Sequence, residues 1–301
     1  MKLRIPRKIY LPLSVGLVLV LAVGLGYSQV WHKSAKPVVI EAKYVSFSGG
    51  YLFSVPAKYT ANGTAMPDIT IIYPKASLPQ NGQSLNDLYP NGVVAVQPIR
   101  ELKNDNLQAF TAYVKGVLAA DLRKTFNSAS DMRPVKQKDV EAAEIYALTP
   151  DGKHLRANYA VDFTQPVLVV AQDRSDAFKT VGFTMEDLKK TNLKTDLDQA
   201  AQAAKEVAQK LQKQDSVGLR KNATSGFKKK MATEQLADSL KKSSQYLQRP
   251  ISIVGGLYNG EYFVAQLVFE AKTEGEQPSP GIVSLQKVGK TWKLDDLQLP
   301  Q

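Results

Sequence analysis

The chain has 301 residues, with 39 Lys and Arg, 28 Asp and Glu, two His and no Cys. This length accommodates about two domains, and 44% apolar with 22% charged residues is typical of a folded globular protein. The absence of Cys excludes disulfides, thiolate metal sites, a thiol nucleophile and an acylated cysteine anchor. His32 and His154 are far apart in the chain, which also excludes a multi-histidine metal site.

The N-terminal segment carries the strongest localisation signal. Four basic residues in 1–8 precede a stretch, 9–31, that contains no charged residue. These 23 residues would span about 35 Å as a helix, which is enough to cross the hydrocarbon core of a bilayer. The positive-inside rule then places 1–8 in the cytoplasm and the rest of the chain outside. We expect a single-pass signal anchor in the cell membrane; a cleaved signal peptide and a buried core helix are the alternatives.

The formal net charge of +11 is unevenly distributed along the chain. Six basic residues and no acidic residue lie within 1–36. Much of the excess is therefore part of the topology signal and does not by itself indicate a nucleic-acid-binding protein. Residues 32–43 form a short tether, so the domain that follows stays near the membrane.

Between residues 44 and 190, short apolar runs bounded by Pro and Gly predict strands around one amphipathic helix at 107–126. Asp151-Gly152 predicts a hairpin, and a final helical region covers 178–190. The predicted strands are 51–55, 69–73, 93–96, 142–148, 155–163 and 166–172.

The sequence GYLFSVP at 50–56 before Lys58-Tyr59, the mid-chain helix and the closing meander resemble the PsbP-like family, named for the extrinsic photosystem II protein. The resemblance implies an α/β/α sandwich around an antiparallel sheet and a mostly non-enzymatic assembly or binding role. Tyr59 stands where a Trp is common in such openings. The resemblance transfers no functional residue to this chain.

From residue 194 to 301 helices come first and strands follow. A continuous apolar stripe predicts a helix at 195–213, and Thr195 with Asp198 resembles a capping box. Asn259-Gly260 and Gly289-Lys290 predict hairpin turns. Two shorter helical segments, 216–231 and 233–247, precede strands at 251–254, 261–271, 282–287 and 291–297.

This second pattern resembles the cone-shaped fold of the nuclear-transport-factor-like superfamily. The resemblance implies a curved sheet wrapped on helices, with a pocket that some members use for catalysis and many use for binding or dimerisation. A homo-oligomer formed through this region would fit that family. The acid–histidine pairs of its enzymes have no counterpart, because no His follows His154. The predicted fold class is thus α+β, with two antiparallel-sheet modules, 44–190 and 194–301, after one transmembrane helix.

Adjacent acidic residues and glycine pairs form no recognisable site. Asp295 and Asp296 are neighbours on a predicted strand, so their carboxylates point to opposite faces and cannot share a pocket. The sequences SGG at 48–50 and VGG at 254–256 lack the spacing of phosphate-binding loops and predict turns or bulges. We therefore assign no catalytic residue, no metal ligand and no cofactor.

Basic residues are concentrated between Lys194 and Arg249, where twelve basic residues face six acidic ones. Outside a cell the available polyanions are acidic wall polymers, anionic lipid headgroups and DNA, and no motif typical of nucleic-acid binding is present. Because 44–190 follows the tether, these clusters would lie farther out, which favours a wall polymer over lipid. A solvated helical face is the alternative. The dense positions are Arg220, Lys221, Lys228, Lys229, Lys230, Lys241 and Lys242.

These observations favour a membrane-anchored, extracytoplasmic, non-catalytic binding or assembly protein of the bacterial envelope, whose partners would be envelope proteins or an acidic wall polymer. One alternative is an enzyme, a hydrolase or isomerase, that uses the pocket of the C-terminal module with Glu261, Glu270 or Tyr262. Another is a polyanion-binding protein that uses the basic helices.

Overall fold

The computed structural model describes residues 42–66, 68–75, 94–98, 128–129, 133–137, 140–148, 154–160, 167–171, 176–273, 276 and 278–300. In chain order the elements are β1 (Lys43–Ser46), β2 (Tyr51–Ser54), β3 (Tyr59–Met66), β4 (Ile69–Pro74), β5 (Val94–Pro98), β6 (Ser128–Ala129), β7 (Arg133–Gln137), β8 (Val140–Leu148), β9 (His154–Ala160), β10 (Val167–Ala171), α1 (Asp176–Thr184), β11 (Glu186–Asp187), α2 (Lys194–Gln212), α3 (Ser216–Lys221), α4 (Ser225–Lys230), α5 (Thr233–Lys242), α6 (Ser244–Leu247), β12 (Ile251–Tyr258), β13 (Tyr262–Phe269), β14 (Ser279–Val288) and β15 (Thr291–Gln298).

The chain divides into two units. The described part of the first unit falls within Lys58–Thr60 and Ile71–Phe183, and the second comprises Lys36–Ala57, Ala61–Thr70 and Thr184–Gln301. The described strands form two antiparallel sheets. One has the order β3-β4-β5-β10-β9-β8-β6, with β7 paired to β8, and the other has the order β11-β2-β1-β12-β13-β14-β15.

Helix α2 covers one face of the seven-stranded sheet, and the predicted helix at 195–213 is confirmed. Its buried residues recur at helical spacing, whereas residues such as Lys205 and Glu206 are exposed. The expected capping box is absent, because the helix begins after Leu193 without a side-chain cap. The buried stripe consists of Leu197, Ala200, Ala204, Val207, Ala208 and Leu211.

The alternation of side chains along β1 and β2 gives this sheet two buried faces. Val45 and Leu52 join the core that contains α2, whereas Tyr44, Tyr51 and Phe53 are also fully buried but lie outside that cluster. The rings of Tyr44 and Tyr51 both stack on Phe53, at centroid distances of 5.6 and 6.1 Å. β1 and β2 therefore contribute buried side chains to both faces of the sheet.

Gln266 of β13 fastens part of β3 onto the aromatic face. Its Oε1 accepts hydrogen bonds from the Tyr44 hydroxyl at 3.0 Å and from the Gly63 N–H at 2.8 Å. Its Nε2 donates to the Ala61 carbonyl at 2.9 Å. Because both ends of the buried amide form hydrogen bonds within the protein, Gln266 joins β13 to β3.

The edge of β15 is covered by the segment between α3 and α4. The Thr224 N–H donates to the Leu294 carbonyl at 2.8 Å, and the Leu294 N–H donates to the Asn222 carbonyl at 3.1 Å. The Thr224 hydroxyl also caps α4 by accepting from the Phe227 N–H. The helix predicted at 216–231 is therefore broken here, because its backbone pairs with the sheet.

The hairpin turns predicted at Asn259-Gly260 and Gly289-Lys290 are confirmed. Gly260 and Gly289 adopt positive φ values of 92° and 64° in the hairpins that join β12 to β13 and β14 to β15. The VGG sequence at 254–256 lies at a register shift in β12, as expected for a bulge. In the first unit β8 and β9 pair from Leu148–His154 onward, which confirms the hairpin predicted there.

The predicted division of the chain at 190–194 does not match the observed units. The first module is predicted to cover 44–190, but β1, which is not among the predicted strands, pairs with β12 from Lys43–Tyr258 to Ser46–Gly255. The reason is that a strand pattern specifies alternating faces but not the partner strand. Likewise, residues 186–187 form a strand on β2 rather than a continuation of the predicted helix.

The predicted fold class is wrong as stated. The part of the chain that the structure describes is mostly sheet with few helices, and β1 and β2 do not belong to the predicted sandwich. None of the described helices combines the length and the apolar character needed to cross a membrane. Even the 19-residue α2 presents polar side chains along its exposed side. The predicted helices at 9–31 and 107–126 lie outside the described residues.

We predict that Leu52→Ala destabilises the core around α2 by about 2–4 kcal/mol, because it removes a fully buried side chain. Trp292 is the only tryptophan in a fragment of residues 36–301, so its fluorescence during urea unfolding reports on this core. Val217→Ala, at a position 67% exposed, is the control and should change stability by less than about 0.5 kcal/mol. An unchanged transition for Leu52→Ala would place β2 outside this core.

Candidate functional site

The basic positions predicted from the sequence lie on three short helices of the second unit. Arg220 and Lys221 end α3, Lys228 to Lys230 end α4, and Lys241 with Lys242 ends α5. Each helix is anchored by buried apolar residues on its other side, namely Leu219, Phe227, Leu236 and Leu240. The core therefore holds the basic helix ends at the surface.

Two of the seven predicted positions are used inside the protein. The Arg220 guanidinium donates to the Lys228 carbonyl at 3.1 Å and to the Met231 carbonyl at 3.2 Å. These carbonyls end α4, so Arg220 caps that helix. The Lys228 ammonium donates to the Lys221 carbonyl at 3.3 Å. These contacts bring the ends of α3 and α4 together and engage Arg220 and Lys228 within the protein.

Five lysines remain available, and we call them the lysine surface. All five are exposed, and within the described part of the chain none forms an ion pair. They fall into two groups, one at the joined ends of α3 and α4 and the other at the end of α5. The ten residues of α5 span about 15 Å between the groups. The members are Lys221, Lys229, Lys230, Lys241 and Lys242.

Two acidic side chains lie on α5 between the two groups. Glu234 and Asp238 are both exposed, on the side away from buried Leu236 and Leu240. Between Ser216 and Leu247 they are the only acidic residues, against seven basic ones. The net charge of this segment is therefore positive, with two acidic side chains on α5 and Asp295 of β15 beside Thr224.

A second polar cluster joins the start of α2 to one end of the seven-stranded sheet. Asp196 accepts a hydrogen bond from the Tyr258 hydroxyl at 2.6 Å and one from the Lys287 ammonium at 2.7 Å. The Lys287 ammonium lies 5.7 Å from the centroid of the Trp292 ring. Carboxylate, phenol, ammonium and indole are thus contributed by α2, β12, β14 and β15.

The protonation states in this cluster favour a fixed ion pair. Although burial alone would raise the pKa of the Asp196 carboxyl, hydrogen bonds from Lys287 and Tyr258 and the Lys287 charge lower it overall. Burial, followed by the hydrogen bond and charge of Asp196, raises the pKa of the Tyr258 hydroxyl. At neutral pH Asp196 is therefore ionised and Tyr258 protonated, which are the states that their hydrogen bond and the ion pair with Lys287 require.

The carboxylates proposed for a catalytic pocket are not enclosed. Glu261 and Glu270 are exposed. Tyr262 is partly buried, and its hydroxyl accepts a hydrogen bond from Gln286 at 2.9 Å. Within the described residues no three His, Cys, Asp or Glu side chains are grouped as a metal site would require.

The neighbouring acids of β15 have separate environments. Asp295 Oδ1 accepts a hydrogen bond from the Thr224 hydroxyl at 2.7 Å. Asp296 is paired across the sheet with Ser284, and the register shifts between Ser284 and Leu285. Asp295 therefore supports the covered sheet edge, and it is the extra residue at this register shift.

The sequence did not identify Asp196 as a residue of a polar cluster, although its neighbours Thr195 and Asp198 were considered as a capping box. An acidic residue in the first turn of a helix is common, because it interacts favourably with the helix dipole. Its partners Tyr258 and Lys287 are 62 and 91 positions away, so no local pattern joins them.

We predict that Asp196→Asn destabilises the second unit by about 1–2 kcal/mol, because it weakens two hydrogen bonds that join α2 to the sheet. Asp198→Asn is the matched control on the same helix, since Asp198 forms an exposed pair with Lys194 and its loss should cost under about 0.5 kcal/mol. The measurement is urea unfolding followed by the fluorescence of Trp292.

The effect of Asp196→Asn should also depend on pH. A folded-state pKa below the unfolded value means that ionised Asp196 stabilises the fold above the unfolded pKa, and that this contribution is lost as pH falls through the folded pKa. The difference between the two proteins should therefore shrink at acidic pH. A difference that is constant with pH would show that the charge of Asp196 does not contribute.

Comparison with known proteins adds no family. No protein-family model matches the chain, and no curated protein matches it.

Proposed function

We propose that this protein is a non-catalytic binding or assembly protein of the bacterial envelope that contacts an anionic partner through the lysine surface. In this proposal the uncharged segment 9–31 holds the chain at the cytoplasmic membrane, and the described units lie on the outer side. The PsbP-like and cone-fold resemblances remain predictions, and the proposal does not depend on either.

The observation that supports the proposal is the placement of five exposed ammonium groups without acidic partners in the described structure. Isolated surface lysines contribute little, whereas clustered ones add their fields. A positive surface of this kind attracts phosphate or carboxylate polymers and anionic bilayers. The attraction is screened beyond about 8 Å at physiological salt, so contact should be weak and salt-sensitive.

A different role for the same lysines has to be separated from binding. Lys228 to Lys230 and Lys241 to Lys242 occupy the last turns of α4 and α5, where positive charge stabilises a helix by about 0.3–1 kcal/mol. A variant that lost binding only because its helices frayed would therefore be misleading. Stability must be measured alongside binding.

We predict that replacing the five residues of the lysine surface with Gln abolishes salt-sensitive binding to anionic partners and leaves the fold intact. The full chain, held in neutral lipid nanodiscs, would be tested against polyphosphate and against phosphatidylglycerol vesicles at low and physiological salt. The control variant replaces five exposed lysines elsewhere in the second unit with Gln and has the same net charge. Its positions are Lys189, Lys205, Lys213, Lys272 and Lys290.

Binding by the wild type and the control variant, together with loss in the lysine-surface variant, would support the proposal. Equal loss in both variants would show that total charge rather than this surface is responsible. An absence of binding by the wild type to both partners at low salt would overturn it. Urea unfolding of all three proteins shows whether the helices stay folded.

A further inference from the structure

We propose that the anionic partner of the lysine surface is the headgroup layer of the membrane to which the chain is itself attached. This inference rests on the proposed function and names its partner. The first described strand after the tether, β1, lies in the sheet of the second unit, so the tether leads directly into that unit.

The unit that follows the tether is the one that carries the lysine surface. The described residues 42–57 belong to the second unit, and β1 begins at Lys43 and pairs with β12. The helices α3, α4 and α5 belong to the same unit. The sequence alone placed them beyond another module, and that was the reason to favour a wall polymer over lipid.

The chain between the uncharged segment and β1 is short. From Trp31 to Lys43 the extended backbone reaches at most about 40 Å. A unit held by this length of chain stays close to the headgroups, so that even a weak electrostatic contact acts at high effective concentration. A soluble polymer receives no such advantage.

The spacing of the lysine surface also fits an extended anionic layer. Its two groups are separated by the length of α5, about 15 Å, so one small anion cannot contact both. A bilayer offers many headgroups over that distance, and juxtamembrane lysines bind anionic bilayers additively. Glu234 and Asp238 lie between the groups and oppose the contact locally, which makes it weak and reversible.

The absence of Cys allows a direct test on the full chain. A single cysteine introduced as Ala232→Cys lies in the exposed connection between α4 and α5, within the lysine surface. Ser48→Cys lies in the exposed turn between β1 and β2, at the end of β1 away from the tether, and serves as the control position. Each protein would carry a fluorophore and be reconstituted in phosphatidylglycerol-rich or pure phosphatidylcholine vesicles that contain a headgroup-linked quencher.

We expect strong quenching at position 232 in phosphatidylglycerol-rich vesicles, and a loss of most of this quenching in phosphatidylcholine, at high salt or when the five lysines are replaced with Gln. Quenching at position 48 should be weaker and independent of the lipid. Quenching at 232 that is the same in both lipids, or unaffected by the lysine substitutions, would overturn the inference.

The two proposals can fail separately. Salt-sensitive polyphosphate binding without lipid-dependent quenching at 232 would keep the proposed function and make a soluble polymer the partner, which overturns the membrane contact. Absence of both signals would overturn both proposals. Unfolding of the labelled variants in urea shows whether the substitutions leave the second unit folded.

Discussion

Two positions of β12 must lack a side chain, Gly255 for the pairing with β1 and Gly256 for the pairing with β13. A Cβ at Gly255 would lie 2.3 Å from the Val45 carbonyl oxygen and 2.7 Å from the Tyr44 hydroxyl, and a Cβ at Gly256 would lie 2.5 Å from the Val264 carbonyl oxygen. The backbone contact leaves no room for either group. Because the Tyr44 hydroxyl approaches over Gly255, it reaches Gln266, which in turn holds β3.

Once β1 is in place, the composition of the second unit follows. β1 brings β2 with it, β2 is extended by β11, and Val45 and Leu52 complete the core beneath α2. The helices above that core end in lysines and carry the surface to which we assign a function. The hydrogen bonds from Tyr258 and Lys287 to Asp196 fix the first turn of α2 on the same sheet.

The sequence predicted individual elements far better than their partners. Alternation and turn residues located most strands, and the stripe from Leu197 to Leu211 located α2, because both signals are local. The partner of β1 could not be predicted, since Val45 and Leu52 would be equally well buried in any sheet. For the same reason the domain boundary was misplaced. The lysine positions were found from composition, but only side-chain geometry shows that Arg220 and Lys228 are engaged within the protein.

β1, the first described strand, lies in one sheet with β12 to β15, the last four strands. This arrangement affects the order of folding. Tyr44 and Gln266 are 222 positions apart, and closing a loop of that length costs about 5 kcal/mol in chain entropy. During synthesis β1 and β2 must wait, with apolar faces exposed, until β12 and β13 emerge. If residues Ile71–Phe183 become compact first, the effective loop shortens and the closure cost falls. Contacts between residues so far apart in the sequence favour slow folding. Until β12 is available, β1 and β2 form a hairpin with exposed apolar faces, which is the kind of surface that chaperones bind.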